Sequence, residues 1–391
     1  MRICSPQLGL SPTATRGGEV YDVAILTRLA QAGVEIDVLL PTGSPAPTAP
    51  NLRITWLPLR RGYRWFVSNF YLAPYIGRCY RDRPFDLLRV HSLRFTGLAA
   101  LWARRVYHLP VPIVAHHHHT DPDRWTGLVD GRVARQVDLL LVGSAATAAD
   151  VITRFRVAKQ RLAVIPYGID AQFRPGLTDT LAQTRSHLAG RQVIIHVGSL
   201  IPRKNVAGLL AAFAQVRAAL PTAYLVLLGS GPEEAALRSQ AASLGIADGV
   251  EFAGRVDEQT KLAFYGRADL LVSASLMEGF GLAVGEAMAC GVPVVATAAG
   301  SLPELVEDGV TGLLVPPADQ NALATAILYL LQNPVLARRL GQAASERIDR
   351  LFRWERTTQQ TLALYQQLVN DPAKKPKFSS HESRPSSTHR R

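Results

Sequence analysis

Two carboxylates flank a glycine turn in "SASLMEGFGLAVGEAMACGVPVVAT", Ser273 to Thr297. Glu278 stands just before Gly279, Phe280 and Gly281, and Glu286 follows within "LAVGEAMA". The apolar "LLVSAS" ahead of them is short, as a buried strand is. Gly279 and Gly281 let the backbone turn tightly and approach a ligand closely. "LAVGEAMA" has helical composition, Gly291 and Pro293 stop it, and "PVVAT" reads as the next strand. The helix start facing the turn offers free N–H groups and the positive end of the helix dipole to an anion. Carboxylates are poor phosphate ligands but good hydroxyl acceptors. A molecule carrying both phosphate and hydroxyls satisfies the whole set, which means a sugar nucleotide. Taken alone, the pair also reads as two solvated glutamates beside an ordinary turn, so the rest of the chain must decide.

Other stretches carry related chemistry. "HVGSLIPRKN" puts Gly198, Ser199, Arg203 and Lys204 after an apolar run, where cations are well placed to neutralise a diphosphate. "LLGSGP" is a second glycine loop after a strand, with Gly229 at its turn, and "TRGGEV" places Gly17 and Gly18 before the first helix. Each also reads as a plain loop. "HHHH", His116 to His119, invites a metal reading, but consecutive strand residues point to opposite faces and metal ligands must converge. One histidine at the strand end, turned to a cleft, is the better expectation. "RRGYRWFVSNFYLAPYIGRCYRDR", Arg60 to Arg83, mixes arginines with aromatics at near-helical spacing. It reads either as an amphipathic helix packed on its own sheet or as one touching an anionic membrane.

The elements that must position these residues alternate. "MRICSP", "EIDVLLP", "FDLLRVH", "VPIVAHHHH", "VDLLLVGS" and "LAVIPYGID" read as strands with helical segments between them. The series restarts with "RQVIIHVGS", a helix in "VAGLLAAFAQVRAAL", "AYLVLLGSG", "VEFAGRV" and "DLLVSAS". Such alternation argues for doubly wound parallel sheets, whose ligands sit beyond the C-terminal strand ends. Two series in 391 residues argue for two Rossmann-like domains facing a cleft, with the boundary near "FRPGLTD". The expected division is 1–172, 173–350, a returning helix over 351–370 and a basic tail over 371–391.

Composition sets outer limits. Three widely spaced cysteines form neither a metal spacing nor a disulfide framework, which fits a reducing cytosol. The N-terminus lacks the long apolar core of a signal peptide, and no apolar run reaches the roughly 18 residues of a membrane span. The net charge is +12, and Pro372 to Arg391 carries six basic residues and one acidic. The Pro, Ser and Lys content of that tail is of the disordered kind. No nucleic-acid motif accompanies the charge.

Together these stretches resemble the retaining GT-B glycosyltransferases of family GT4. "EGFGLAVGE" matches the family's E-x7-E motif, and "IPYGID", "VGSLIPRKN", "LLGSGP", "FAGRV", "GSLPELVEDGVTGLLVPP" and "RWERTTQQTLALY" follow in family order. The resemblance is nearly continuous over the C-terminal half and looser over the N-terminal half. It implies that Glu278 contacts the donor sugar hydroxyls and Glu286 the ribose. It implies that the backbone of Phe280, Gly281 and Leu282 meets the sugar and diphosphate, and that Lys204 meets the diphosphate. Ser199 stands where the family often has an arginine, with Arg203 as the replacement charge. His118 matches the cleft histidine, Gly17 or Gly18 the N-terminal glycine loop, and Asp170 an interdomain position of structural kind. Transfer with retention, a nucleotide-sugar co-substrate and no metal ion or other cofactor follow from the resemblance. The acceptor, a glycan, lipid-linked or small molecule, is left open, as is a peripheral membrane contact of a cytoplasmic protein. A GT-B epimerase of nucleotide sugars and a non-catalytic GT-B subunit are the alternatives.

Overall fold

The computed structural model describes residues 1–14, 17–58, 67–118, 124–177 and 186–371. The first half contains strands β1 (Arg2–Pro6), β2 (Glu35–Pro41), β3 (Leu52–Leu57), β4 (Leu87–Val90), β5 (Ile113–His117), β6 (Leu139–Val142) and β7 (Leu162–Val164). Its helices are α1 (Gly17–Gln31), α2 (Val67–Asp82), α3 (Leu98–Val106), α4 (Arg124–Ala134) and α5 (Ala145–Phe155). The second half contains β8 (Gln192–Val197), β9 (Ala223–Leu228), β10 (Val250–Gly254), β11 (Leu270–Ser273), β12 (Val294–Thr297) and β13 (Leu313–Val315). Its helices are α6 (Val206–Ala219), α7 (Glu234–Ser243), α8 (Glu258–Arg267), α9 (Leu282–Ala289) and α10 (Leu302–Leu305), then α11 (Gln320–Gln332), α12 (Pro334–Leu351) and α13 (Trp354–Asn370).

Both sheets are parallel, in the orders β3-β2-β1-β4-β5-β6-β7 and β10-β9-β8-β11-β12-β13. Central strands such as "LLLV" of β6 and "LLVS" of β11 are buried throughout, as sheets covered on both faces require. In each sheet the strand order reverses at one place, between β1 and β4 and between β8 and β11. Doubly wound sheets bind ligands beyond the strand ends at such switch points. The loops opening there are those with Gly17 and Gly18, with Lys204, and with Glu278.

The sequence reading passed over β3 and β13. The first is an edge strand in which only Leu57 is buried and no clean alternation shows, and the second is only three residues long.

The chain returns to the first half at its end. Ile169 N donates to Phe352 O at 2.7 Å, Thr357 Oγ1 to Pro166 O at 2.9 Å, and Tyr365 OH meets His116 Nε2 at 2.7 Å. Helix α13 therefore lies against α1 and the first sheet. A second junction joins the halves nearer the cleft. The Glu304 carboxylate on α10 accepts from the N–H groups of Ala145 and Ala146, both at 2.8 Å. It thus fills the positive end of α5.

Candidate active site

Backbone geometry builds the second-half wall of the cleft. Gly229, just past β9, has φ 150°, and a Cβ there would fall 1.8 Å from Gly198 O. The loops after β8 and β9 thus touch backbone to backbone, and no side chain fits between them. Asn205 takes the left-handed conformation at φ 51° and caps α6, its Oδ1 accepting from Gly208 N at 3.3 Å. Gly281, with φ 92°, caps α9, and a Cβ would meet Leu302 Cδ2 at 2.7 Å. The bond from Leu276 N to Arg203 O, 2.8 Å, ties the Lys204 loop to the Glu278 loop.

That tie brings Lys204 and Glu278, 74 residues apart in sequence, into a direct ion pair. Ser275 Oγ donates to the Glu278 carboxylate at 3.2 Å, and Arg203 Nη1 stands 3.9 Å from it. Burial pushes the Glu278 carboxyl up, but the Lys204 ammonium outweighs it, helped by Arg203 and Ser275, and holds it below its ordinary value. His196 on β8 donates from Nδ1 to Val272 O at 3.1 Å; burial first, then Lys204, lower its pKa to about 4, so it is neutral.

Glu286 sits in the second turn of α9, away from that pair. Its partners are Lys261 Nζ at 2.9 Å and Tyr265 OH at 2.8 Å, both on α8. Burial raises this carboxyl above its ordinary value, against the pull of Lys261 and Tyr265. The two glutamates therefore sit at opposite ends of the glycine turn, each with its own cation. Lys261 and Tyr265 were not singled out in the sequence. Their four-residue spacing, which puts both on one helix face, was the available signal.

The first half supplies the facing wall. Gly17 begins α1, and a Cβ there would lie 3.6 Å from Leu282 Cδ1, so the starts of α1 and α9 approach each other across the cleft. Gly18 lies against the His118 ring, 3.0 Å from Cδ2 by the same measure. Phe280 is buried, and its ring stacks on Tyr167 of the first half at 5.0 Å, leaving only its backbone for a ligand. Ser199 is exposed at the cleft edge. Asp170 pairs with Arg28 at 2.6 Å, and its carbonyl accepts from Arg353 at 2.8 Å.

The histidines do not converge. His116 faces Tyr365, His117 packs edge-on to Phe155, and His118 bonds through Nδ1 to Tyr167 OH. His119, Arg60, Arg61 and Arg64 lie outside the described residues. Among the described residues no three His, Cys, Asp or Glu side chains gather as a metal site needs, and no helix is long and apolar enough to cross a membrane.

Comparison with known proteins agrees with this geometry. The family model "Glycosyltransferase Family 4" matches residues 15–173, and "Glycosyl transferases group 1" matches residues 179–347. The MMP alpha-(1->4)-mannosyltransferase of Mycolicibacterium hassiacum is 35% identical, covering 92% of this chain and 96% of its own. The phosphatidyl-myo-inositol mannosyltransferase of Mycobacterium leprae is 29% identical, covering 92% and 95%. Among solved structures, sucrose-phosphate synthase from Thermosynechococcus elongatus superposes with a TM-score of 0.81 at 27% identity, covering 94% of this chain and 98% of that one. The chain belongs to the glycosyltransferases of family 4 and has their GT-B fold.

Proposed function

We propose that the protein moves a sugar from a nucleoside-diphosphate sugar to an acceptor hydroxyl with retention of anomeric configuration. The observation that carries this reading is the Lys204–Glu278 pair at the β8/β11 switch point, beside the starts of α6 and α9. One member suits a diphosphate and the other a sugar hydroxyl. The two pair with each other here, and a bound donor would draw them apart, one toward each of its ends. Glu286 takes the ribose. The bond from the anomeric carbon to the diphosphate breaks, and Lys204, Arg203 and the helix starts stabilise the charge on the departing phosphate. The acceptor oxygen bonds the same carbon on the same face, and the leaving phosphate takes its proton. With these cations as the charge sink, no metal ion is called for.

Two relatives of near-full length are named mannosyltransferases, which puts a mannosyl donor first in line. The reading is tested with GDP-mannose and a panel of UDP- and ADP-sugars, first by thermal shift, then by product analysis on soluble and lipid-linked acceptors with and without EDTA. Binding and transfer of no panel member would sink it. An inverted product would sink retention alone, and loss of activity in EDTA the metal-free step. An isomerised sugar released without acceptor would favour the epimerase reading.

A lipid-linked acceptor is favoured by one surface. Helix α2 exposes Phe70, Tyr71, Arg78 and Arg81, and Phe70 packs edge-on at 5.2 Å against the exposed Trp102 of α3, next to Arg105. Aromatics beside arginines suit an anionic interface. Sedimentation with vesicles containing anionic lipid, and not with zwitterionic ones, is the expected result.

A further inference from the structure

His91 stands where the chain leaves the fourth strand of the first half. β4 ends at Val90, and Leu93–Gly97 then form one turn of π-helix, with Gly97 N donating to Ser92 O at 2.9 Å. Wide turns of this kind occur mostly at functional sites. The His91 ring turns back over the strand ends, where Nδ1 lies 3.3 Å from Pro6 O at the end of β1. The order of the first sheet reverses between β1 and β4, so the ring spans the switch point itself. A carbonyl oxygen has no hydrogen to give, so Nδ1 carries it and Nε2 holds a lone pair. His91 is half-buried; its Nε2 has no hydrogen-bond partner among the described residues, yet it is not shut away from solvent. The solvent beyond these strand ends is that of the cleft. Burial lowers the His91 pKa below its ordinary value, against the pull of Asp22, so the ring is neutral. Asp22 and Arg89, the charged side chains that act on it, are buried and paired with each other.

We propose that His91 is a specificity-determining residue for the acceptor, its Nε2 lone pair taking a hydrogen bond from a hydroxyl of an uncharged sugar or other polyol unit at the first-half switch point. The donor's phosphates and hydroxyls are assigned to Lys204, Glu278 and Glu286 on the opposite wall, which leaves this wall to the acceptor. A lone pair on a neutral nitrogen accepts from a hydroxyl. It has nothing to offer an ionised phosphate or carboxylate, whose oxygens also only accept. His91 therefore keeps hydroxyls and turns anions away at this point. The attacking oxygen still gives its proton to the leaving phosphate, and His91 holds a second hydroxyl of the same unit. The acceptor role rests on the transferase reading; the tautomer assignment does not.

Measurements on the full chain separate the two. Side-chain 15N spectra of the substrate-free protein, with the His91 signal assigned by its loss in His91→Phe, should show hydrogen on Nδ1 and a bare Nε2. Hydrogen on Nε2 overturns the proposal whether or not any sugar is transferred. Methyl α-mannoside, methyl α-glucoside and myo-inositol serve as acceptors, beside a phosphate ester of each. His91→Phe should raise the acceptor KM about fivefold or more, while donor KM and the slow hydrolysis of donor by water stay within about twofold. His91→Gln, whose Oε1 also accepts, should recover most of the loss. One monodeoxy form of the acceptor should be poorer by a similar factor on wild type and no poorer than its parent on His91→Phe. A wild-type acceptor KM in His91→Phe, or equal losses in transfer and hydrolysis, overturns the role. His91→Leu takes the place of His91→Phe should that variant fail to fold. A wild type that hydrolyses donor but glycosylates only the phosphate esters, or none of these acceptors, overturns the polyol assignment alone. One that neither binds nor cleaves any donor overturns the transferase reading and the acceptor role with it.

Discussion

The two walls of the cleft come from sheets of one design, yet they are built by different means. The second-half wall is backbone and partly buried charge at loop tips. Glycines at positive φ let loops touch, and Lys204, Arg203 and Glu278 pair at their tips. The first-half wall is a buried ionised cluster, with Arg89 and Asp22 taken wholly out of water beneath His118. Charges at loop tips can change partners when a ligand arrives. A buried pair cannot do so without a large penalty. The second half is thus arranged to respond to the donor, and the first to hold a fixed frame against it.

The sharpest way to break that contrast is to remove one buried charge. Arg89→Met should cost about 3–5 kcal/mol of stability by leaving the Asp22 carboxylate unpaired. Denaturant unfolding reads this directly, and a near-wild-type midpoint would mean the frame is not built on the pair. Lys204→Ala should act chiefly on the chemistry, raising the barrier by about 2–4 kcal/mol, with a smaller loss of melting temperature because Glu278 keeps Ser275 and Arg203 beside it. Turnover close to wild type in the purified variant would remove Lys204 from the chemistry.

The two glutamates sharpen the contrast within the second half. Glu286→Gln should weaken binding of the free nucleoside diphosphate about tenfold or more, because the ribose is present in it. Glu278→Gln should leave that affinity nearly unchanged and lower turnover by a similar factor. Calorimetry and kinetics on both variants give the answer, and the opposite pattern would reverse the two roles.

The same pair predicts a smaller, pH-linked effect. The Glu286 carboxyl is raised in the fold, so its contribution to stability is present below the unfolded value and lost as pH rises through the folded one. The Glu278 carboxyl is lowered, so its contribution is present above the unfolded value and lost as pH falls through the folded one. On acidification Glu286 protonates first. Nucleoside diphosphate affinity should therefore decline before the Lys204–Glu278 pair is lost, and Glu286→Gln should flatten that decline. The smallest effect belongs to deletion of Pro372 to Arg391, whose composition gives it little to dock with. Melting temperature and donor binding should stay as they are, and a clear drop in either would show that the segment docks.

The contrast also explains what could be read before the structure. Where only glycine fits, as at Gly229 against Gly198, the demand is written locally, and motifs such as "LLGSGP" carry it. The strand–helix alternation and the cations after β8 are legible for the same reason. Asp22 and Arg89 are 67 residues apart, and His118 and Tyr167 are 49 apart, in segments whose local pattern is that of ordinary core helix and strand. No period or spacing announces that the arginine of "FDLLRVH" is buried against a helix aspartate. The edge strand β3 escaped because its alternation is weak, and Glu304 because its partners are bare amides of another helix.

The Glu304 contact has one more consequence. Ala145 and Ala146 open α5, and the first N–H groups of a helix have no acceptor within it. Their protons are held by a carboxylate from the opposite half and by nothing in their own helix. Whenever the halves part, these two amides meet solvent together, while their neighbours one turn on stay bonded. Deuterium uptake at this pair would then count openings of the cleft, a clock set into the chain without any label.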